Sequence, residues 1–236
     1  MKTINYMKKV LLILSLSPLL AFASQDIHLD KAPVDVSNHE SLQRGARTFV
    51  NYCLNCHSAN YMRYNRLMEI GLTEKQIKDN LLLAGGKVGD TMTVAINKKD
   101  AMKWFGATPP DLSVEVRARG ADWVYTYMRG FYRDNTRSTG WNNTVFDKVG
   151  MPHVLYELQG EQELNHETHQ LELIKPGRLS VEEYDTLIGD LTNFMAYMAE
   201  PAKQQRNQLG WFVLLFLGVL LVLAYKLKKA YWKDIH

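Results

Sequence analysis

The chain has 236 residues, 46% of them hydrophobic and 22% charged, with a formal net charge of +3 and two cysteines. That length accommodates one domain plus targeting and anchoring segments, and two cysteines exclude a disulfide-stapled scaffold. Seven of the 28 basic residues lie at the ends (Lys2, Lys8, Lys9, Lys226, Lys228, Lys229, Lys233) with one acid, Asp234, which leaves 21 bases against 24 acids in the body. A mildly acidic body argues against nucleic acid and permits a basic protein partner.

Lys2, Lys8 and Lys9, the apolar stretch from Val10 to Leu20, and the small residues up to Ala23 form a secretory signal peptide over residues 1–23. The apolar run is short for a membrane span and is interrupted by Ser15, Ser17 and Pro18. A single domain is expected over 24–205, with helices predominating. Ser37-x-x-Glu40 predicts a capped helix running towards Cys53, and Thr73-x-x-Gln76 predicts another that stops near Gly85-Gly86. A further helix is predicted from Ala121 to Met128. Residues 85–108 and 131–152 are rich in turn formers and read as loops. Val154, Tyr156 and Leu158 alternate with polar residues, as do Leu171 and Leu173, so a small hairpin is expected between Pro152 and Pro176. Ser180-x-x-Glu183 opens the clearest helix, whose apolar residues from Val181 to Met198 recur at helical spacing until Pro201.

Residues 206–236 read as an anchor. Leu209 to Tyr225 is a run of 17 residues without a charge, about 26 Å long as a helix, at the short limit for crossing hydrocarbon. Trp211 and Tyr225 sit where interfacial aromatics belong. The lysines that follow place the C-terminus in the cytoplasm by the positive-inside rule, and the body in the periplasm of a bacterial inner membrane.

Cys53-x-x-Cys56-His57 is the attachment signature of a c-type haem. Positions three and four apart share a helix face, so both thiols can reach the vinyl groups while His57 approaches the iron. Two other chemistries use these residue types. A redox dithiol normally follows a strand in a βαβ pattern, and structural zinc needs a fourth ligand; neither context is present. A second axial ligand has to come from elsewhere. Met195 and Met198 belong to an amphipathic helix where core packing is the default. Met151, framed by Gly150 and Pro152, lies where regular helix is impossible, with His153 its nearest competitor.

Cys53-x-x-Cys56-His57-Ser58, the aromatic and basic run from Tyr61 to Leu67, Pro109-Pro110-Asp111-Leu112-Ser113, Arg117-x-Arg119, Gly150-Met151-Pro152 and the Glu200-Pro201 boundary together resemble the cytochrome c1 family. That family supplies the haem subunit of ubiquinol:cytochrome c oxidoreductase. The resemblance implies an enlarged class I cytochrome c fold, mainly α, with one C-terminal transmembrane helix and one covalently bound haem c. It implies that His57 and Met151 are the iron ligands, that Arg119 pairs with a haem propionate, and that Pro110 lines the haem edge. Trp123 stands where the family often has a tyrosine. By the same resemblance the electron comes from a Rieske iron-sulfur protein and leaves to a cytochrome c, the chain sits beside a cytochrome b, and it needs no catalytic residues of its own.

Between Lys148 and Lys175 there is no lysine or arginine, while Glu157, Glu161, Glu163, Glu167 and Glu172 fall in the expected hairpin. This is either a solvated loop or a surface that steers a basic cytochrome.

Overall fold

The computed structural model describes residues 27–233 apart from Ala95; the predicted signal peptide lies outside them. Helix α1 spans His39–Thr48. Its cap is Asn38 rather than the expected Ser37: the Asn38 side chain accepts from the Ser41 N–H at 3.1 Å. Ser37 is already engaged, because the Asp35 carboxylate accepts both its N–H at 2.9 Å and its hydroxyl at 2.5 Å. A carboxylate two residues away is the stronger local acceptor. The last turns of α1 widen into a π-helical stretch, Phe49–Cys53.

Strand β1 (Ala59–Arg63) is followed by the 3-10 helix Tyr64–Ile70, which Gly71 ends at φ 91°. Helix α2 (Glu74–Asn80) carries the predicted capping box of Thr73 and Gln76. The segment expected to be a loop holds β2 (Thr91–Met92), antiparallel to β1, and helix α3 (Lys98–Phe105). Asn97 caps α3 through the Lys99 N–H, but only Ala101 of the helix is buried, so no apolar periodicity announces it. Helices α4 (Glu115–Arg119) and α5 (Ala121–Arg129) follow, α5 one residue longer than expected. Strands β3 (Phe131–Arg133) and β4 (Trp141–Asn143) pair inside the second expected loop.

The predicted hairpin is present as β5 (Gly160–Leu164) against β6 (Leu171–Pro176), entered through a short helix α6 (Tyr156–Gln159). The alternation at Val154, Tyr156 and Leu158 therefore belongs to a turn and α6, not to a strand. Half-buried residues in one helical turn produce the same short pattern as a strand. Helix α7 (Val181–Ala199) opens on the expected box of Ser180 and Glu183, and α8 covers Lys203–Tyr231.

The core is built where α1 crosses α7. A Cβ on Gly45 would stand 2.1 Å from the Asp190 carbonyl oxygen, so only glycine allows this approach. Around it, the Arg44 guanidinium donates to both Asp190 carboxylate oxygens at 2.6 and 3.0 Å. Phe49 packs on Phe194 with centroids 5.6 Å apart. Met195 and Met198 are buried, as core packing requires. The crossing fixes the end of α1, and hence Cys53, against α7. Helix α8 is different. None of its residues is buried, and its apolar window has a mean hydropathy of 2.2. It extends the expected apolar run at both ends to 29 residues, about 44 Å, and forms the membrane anchor.

Candidate functional site

Cys53 closes the wide turn at the end of α1, and its carbonyl accepts the N–H groups of Cys56 at 3.1 Å and His57 at 2.9 Å. The five motif residues therefore form one compact turn. His57 Nδ1–H donates to the Pro110 carbonyl at 2.8 Å, which leaves the Nε2 lone pair available to a metal and fixes the ring orientation. Burial lowers the His57 pKa, against weaker upward pulls from the Pro110 carbonyl and from Glu115 and Asp111. The imidazole is neutral at pH 7, the form that ligates.

The Pro109-Pro110-Asp111-Leu112-Ser113 segment is laced to the chain just after the motif. Asp111 accepts the Asn60 N–H at 2.8 Å, the Ser113 hydroxyl accepts the Tyr61 N–H at 3.1 Å, and the Leu112 N–H donates to the Ser58 carbonyl at 2.8 Å. These bonds hold the Pro110 carbonyl where His57 meets it.

Both thiols are free. Burial, with the neighbouring Cys56 charge, pushes the Cys53 thiol up to about 12, and burial also raises Cys56. A redox dithiol needs the opposite shift. Among the described residues no group of three His, Cys, Asp or Glu side chains could hold a metal ion.

Cys53, His57 and Met151 line one cavity of about 340 Å³, walled by apolar groups such as Leu112, Val124 and Leu191. A smaller chamber of about 100 Å³ adjoins it, with Cys56, Tyr52 and Phe105 in its wall. The larger volume lies in the range of cofactor sites. The donor set of two thiols, an imidazole and a thioether fits a covalently attached haem. The Tyr127 hydroxyl donates to Met151 Sδ at 3.4 Å, and its buried phenol has a raised pKa, so it stays a donor. Trp123 stacks on Tyr127 at 4.9 Å between ring centroids.

Arg119 also lines this cavity. It lies over the Trp123 ring at 4.4 Å and is ion-paired with Glu115 one turn back. Arg117 is exposed and is absent from the cavity wall. His153, the competing ligand by sequence, is buried elsewhere, stacked on Phe131 at 4.8 Å and edge-on to Trp141 at 5.0 Å. Burial pushes its pKa down to about 4. Sequence reasoning missed Tyr127. The available signal was its position one turn beyond Trp123 on α5, where a hydroxyl reaches the same face.

A helical body with a long apolar helix at its C-terminal end and these donors around adjoining apolar cavities fits the class of membrane-anchored haem proteins. Residues 30–235 match the Cytochrome C1 family. Among relatives, an "Ammonia monooxygenase gamma subunit" of Nitrosomonas europaea is 54% identical over 97% of this chain and 98% of its own length. A "Cytochrome c1" of Allochromatium vinosum is 49% identical over 95% and 96%, respectively, and a "Cytochrome c1" of Rhodospirillum rubrum is 28% identical over 82% and 81%. The chain belongs to the cytochrome c1 family. It is accordingly a membrane-anchored electron-transport subunit, and the family's cofactor is haem.

Proposed function

We propose that this chain carries a single haem c, attached through Cys53 and Cys56 and ligated by His57 and Met151. We further propose that it acts as the haem subunit of ubiquinol:cytochrome c oxidoreductase, accepting electrons from a Rieske protein and passing them to a cytochrome c. The observation that carries this reading is the shared cavity, with His57 oriented by Pro110 and Met151 held by Tyr127. Bound there, haem supplies a one-electron couple between ferrous and ferric iron.

The residues do the rest. His57 and Met151 would together hold the haem iron and shut out an exogenous ligand, and a thioether donor would favour the ferrous state. Leu112, Val124 and Leu191 exclude water. Arg119, on the cavity wall, is suited to a propionate by its planar fork, a role that requires it to share or exchange Glu115. Residues 1–23 direct export, residues 24–205 form the periplasmic body, and α8 packs beside a cytochrome b with its lysine-rich end in the cytoplasm.

The ligand assignment is tested with Met151→His in the full-length protein. The variant should keep a haem that survives denaturation, lose the ferric sulfur-ligation band and show a markedly lower reduction potential. An unchanged band and potential would refute it. The name of the 54% identical relative favours a second reading, a subunit of an ammonia monooxygenase. Purification from solubilised membranes separates the two: a cytochrome b and an iron-sulfur subunit travel with the chain in the first, an oxygenase in the second.

A further inference from the structure

The mouth of the haem cavity is roofed by α3 and the segment after it. Phe105 at the end of α3 lines the smaller chamber with Tyr52 and Met151. Lys98 at its start borders an adjoining cleft with Cys56 and Pro110, and the Thr108 hydroxyl donates to the Lys98 carbonyl at 3.3 Å. Gly150 permits this closeness: a Cβ there would stand 3.1 Å from the Phe105 carbonyl oxygen and 3.3 Å from Ala107 Cβ. The helix therefore lies against the Gly150-Met151 loop.

Helical spacing decides what α3 shows to solvent. Ala101, buried, and Phe105, partly buried, are four apart and face inward. Lys99 and Lys103, also four apart, fall on the opposite side with Met102 beside them, while Lys98, seven positions before Phe105, lies towards the inward face at the cleft. All four are exposed, Met102 at 52%, and Trp104 on the flank is 64% exposed. Trp and Met are enriched at the contact centre of protein interfaces. An exposed indole and an exposed thioether flanking a lysine-bearing face form an interface pattern rather than a solvated face.

The charge of this helix runs against that of the body. Lys98, Lys99 and Lys103 face one acid on α3, Asp100, and among the described residues none of the three enters an ion pair. Asp111, at the same cleft, is engaged by the Asn60 and Ser113 N–H groups. The acids of the hairpin region are largely engaged within the molecule. Glu161 is held by Arg133 at 2.8 Å and Lys175 at 3.0 Å, Glu157 by Arg178 at 2.9 Å, and Glu172 accepts from Asn165 at 2.7 Å. Among the described residues the three lysines next to the cavity have no ion-pair partner, whereas Glu157 and Glu161 of the hairpin region are already paired with basic side chains.

We propose that α3 is the docking surface for a soluble electron-accepting protein with an acidic face, Lys98, Lys99 and Lys103 steering its approach while Met102 and Trp104 make the apolar contact. The proposal rests on the haem reading above. In the encounter one electron leaves ferrous iron, which becomes ferric, and the acceptor is reduced by one electron. A diffusing partner gains most from such steering, because charge of this kind raises the encounter rate more than the final affinity.

The test uses full-length protein in detergent, reduced with ascorbate, its haem spectrum recorded, then mixed in stopped flow with an acidic or a basic cytochrome c of matched potential. The wild type should reduce the acidic acceptor faster at low ionic strength, and the advantage should fade as salt rises. Lys99→Glu combined with Lys103→Glu should slow that reaction about tenfold at low salt and converge with wild type at high salt. Trp104→Ala should slow it at every salt concentration. A wild type that prefers the basic acceptor, or a double variant with an unchanged rate and an intact spectrum, overturns this proposal alone. A wild-type protein without a haem spectrum overturns the functional reading and this proposal together.

Discussion

The contact between the Tyr127 hydroxyl and Met151 Sδ links a residue on α5 to one on a loop 24 positions away. On the proposed ligation, an O–H drawing density from the thioether would make it a weaker donor, disfavour ferric iron and raise the potential. Tyr127→Phe removes that bond and little else, since the ring still stacks on Trp123 and meets Phe131 edge-on at 5.1 Å. A net hydrogen-bond worth of about 0.5–1.5 kcal/mol corresponds to roughly 20–60 mV for a one-electron couple. The potential should fall by up to that amount, since only the difference in the bond between the two redox states counts, as redox titration of the full-length protein would show; an unchanged value means the hydroxyl does not act differentially on the sulfur. Cys53, Cys56 and His57 were legible because fixed spacing expresses them locally, whereas Pro110 came only through the family resemblance. The Tyr127 contact was not, because a hydroxyl meeting a sulfur across a cavity leaves no local pattern. Arg119 was legible as a residue, but its pairing with Glu115 was not foreseen.

At the scale of elements, the hairpin of β5 and β6 is fastened to the body by few polar contacts. Gln162 Nε2 donates to the carbonyls of Arg129 at 3.1 Å and Phe131 at 3.0 Å, and Glu161 joins Arg133 to Lys175. Hydrogen bonds from Arg133 and then Lys175 bring the Glu161 pKa from 4.5 down to about 2. The folded pKa is depressed, so the stabilisation is complete above pH 4.5 and is lost as pH falls through about 2. The pair is near the surface, and its worth is under about 1 kcal/mol. Urea denaturation should therefore find Glu161→Gln less stable than wild type at pH 6 and equal to it near pH 2. A gap that persists at low pH assigns the effect to packing instead. Sequence reading recovered α2 from its capping box alone, and α7 because a capping box and a long apolar stripe coincide there. It missed α3 and the pair of β3 and β4, which bury too few residues or are too short for a period to emerge.

At the scale of the whole molecule, the body and the anchor are energetically separate. The body's core is the crossing of α1 and α7, where Gly45 admits the Asp190 carbonyl and Phe49 meets Phe194. Helix α8 contributes nothing to it, because every residue from Lys203 to Tyr231 is unburied except against the membrane the chain is built to enter. The cavity draws its walls from α4, α5, α7, the end of the first helix at Cys53 and the loops around Pro110 and Met151, with no residue of α8 among them. A stop codon after Arg206 keeps the first turn of α8, including the Arg206 ion pair to Glu200, and removes only the exposed apolar length. Removal of a segment without packed neighbours changes stability by about 0.5 kcal/mol or less, which for a body of this size moves Tm by roughly 2 °C or less. The truncated protein should be recovered from the periplasm in soluble form with haem attached and a Tm close to that of the full chain, while quinol-linked electron transfer in the membrane is lost. Recovery only as a haem-free aggregate would mean that α8 supports the fold of the body and that the separation drawn here is wrong.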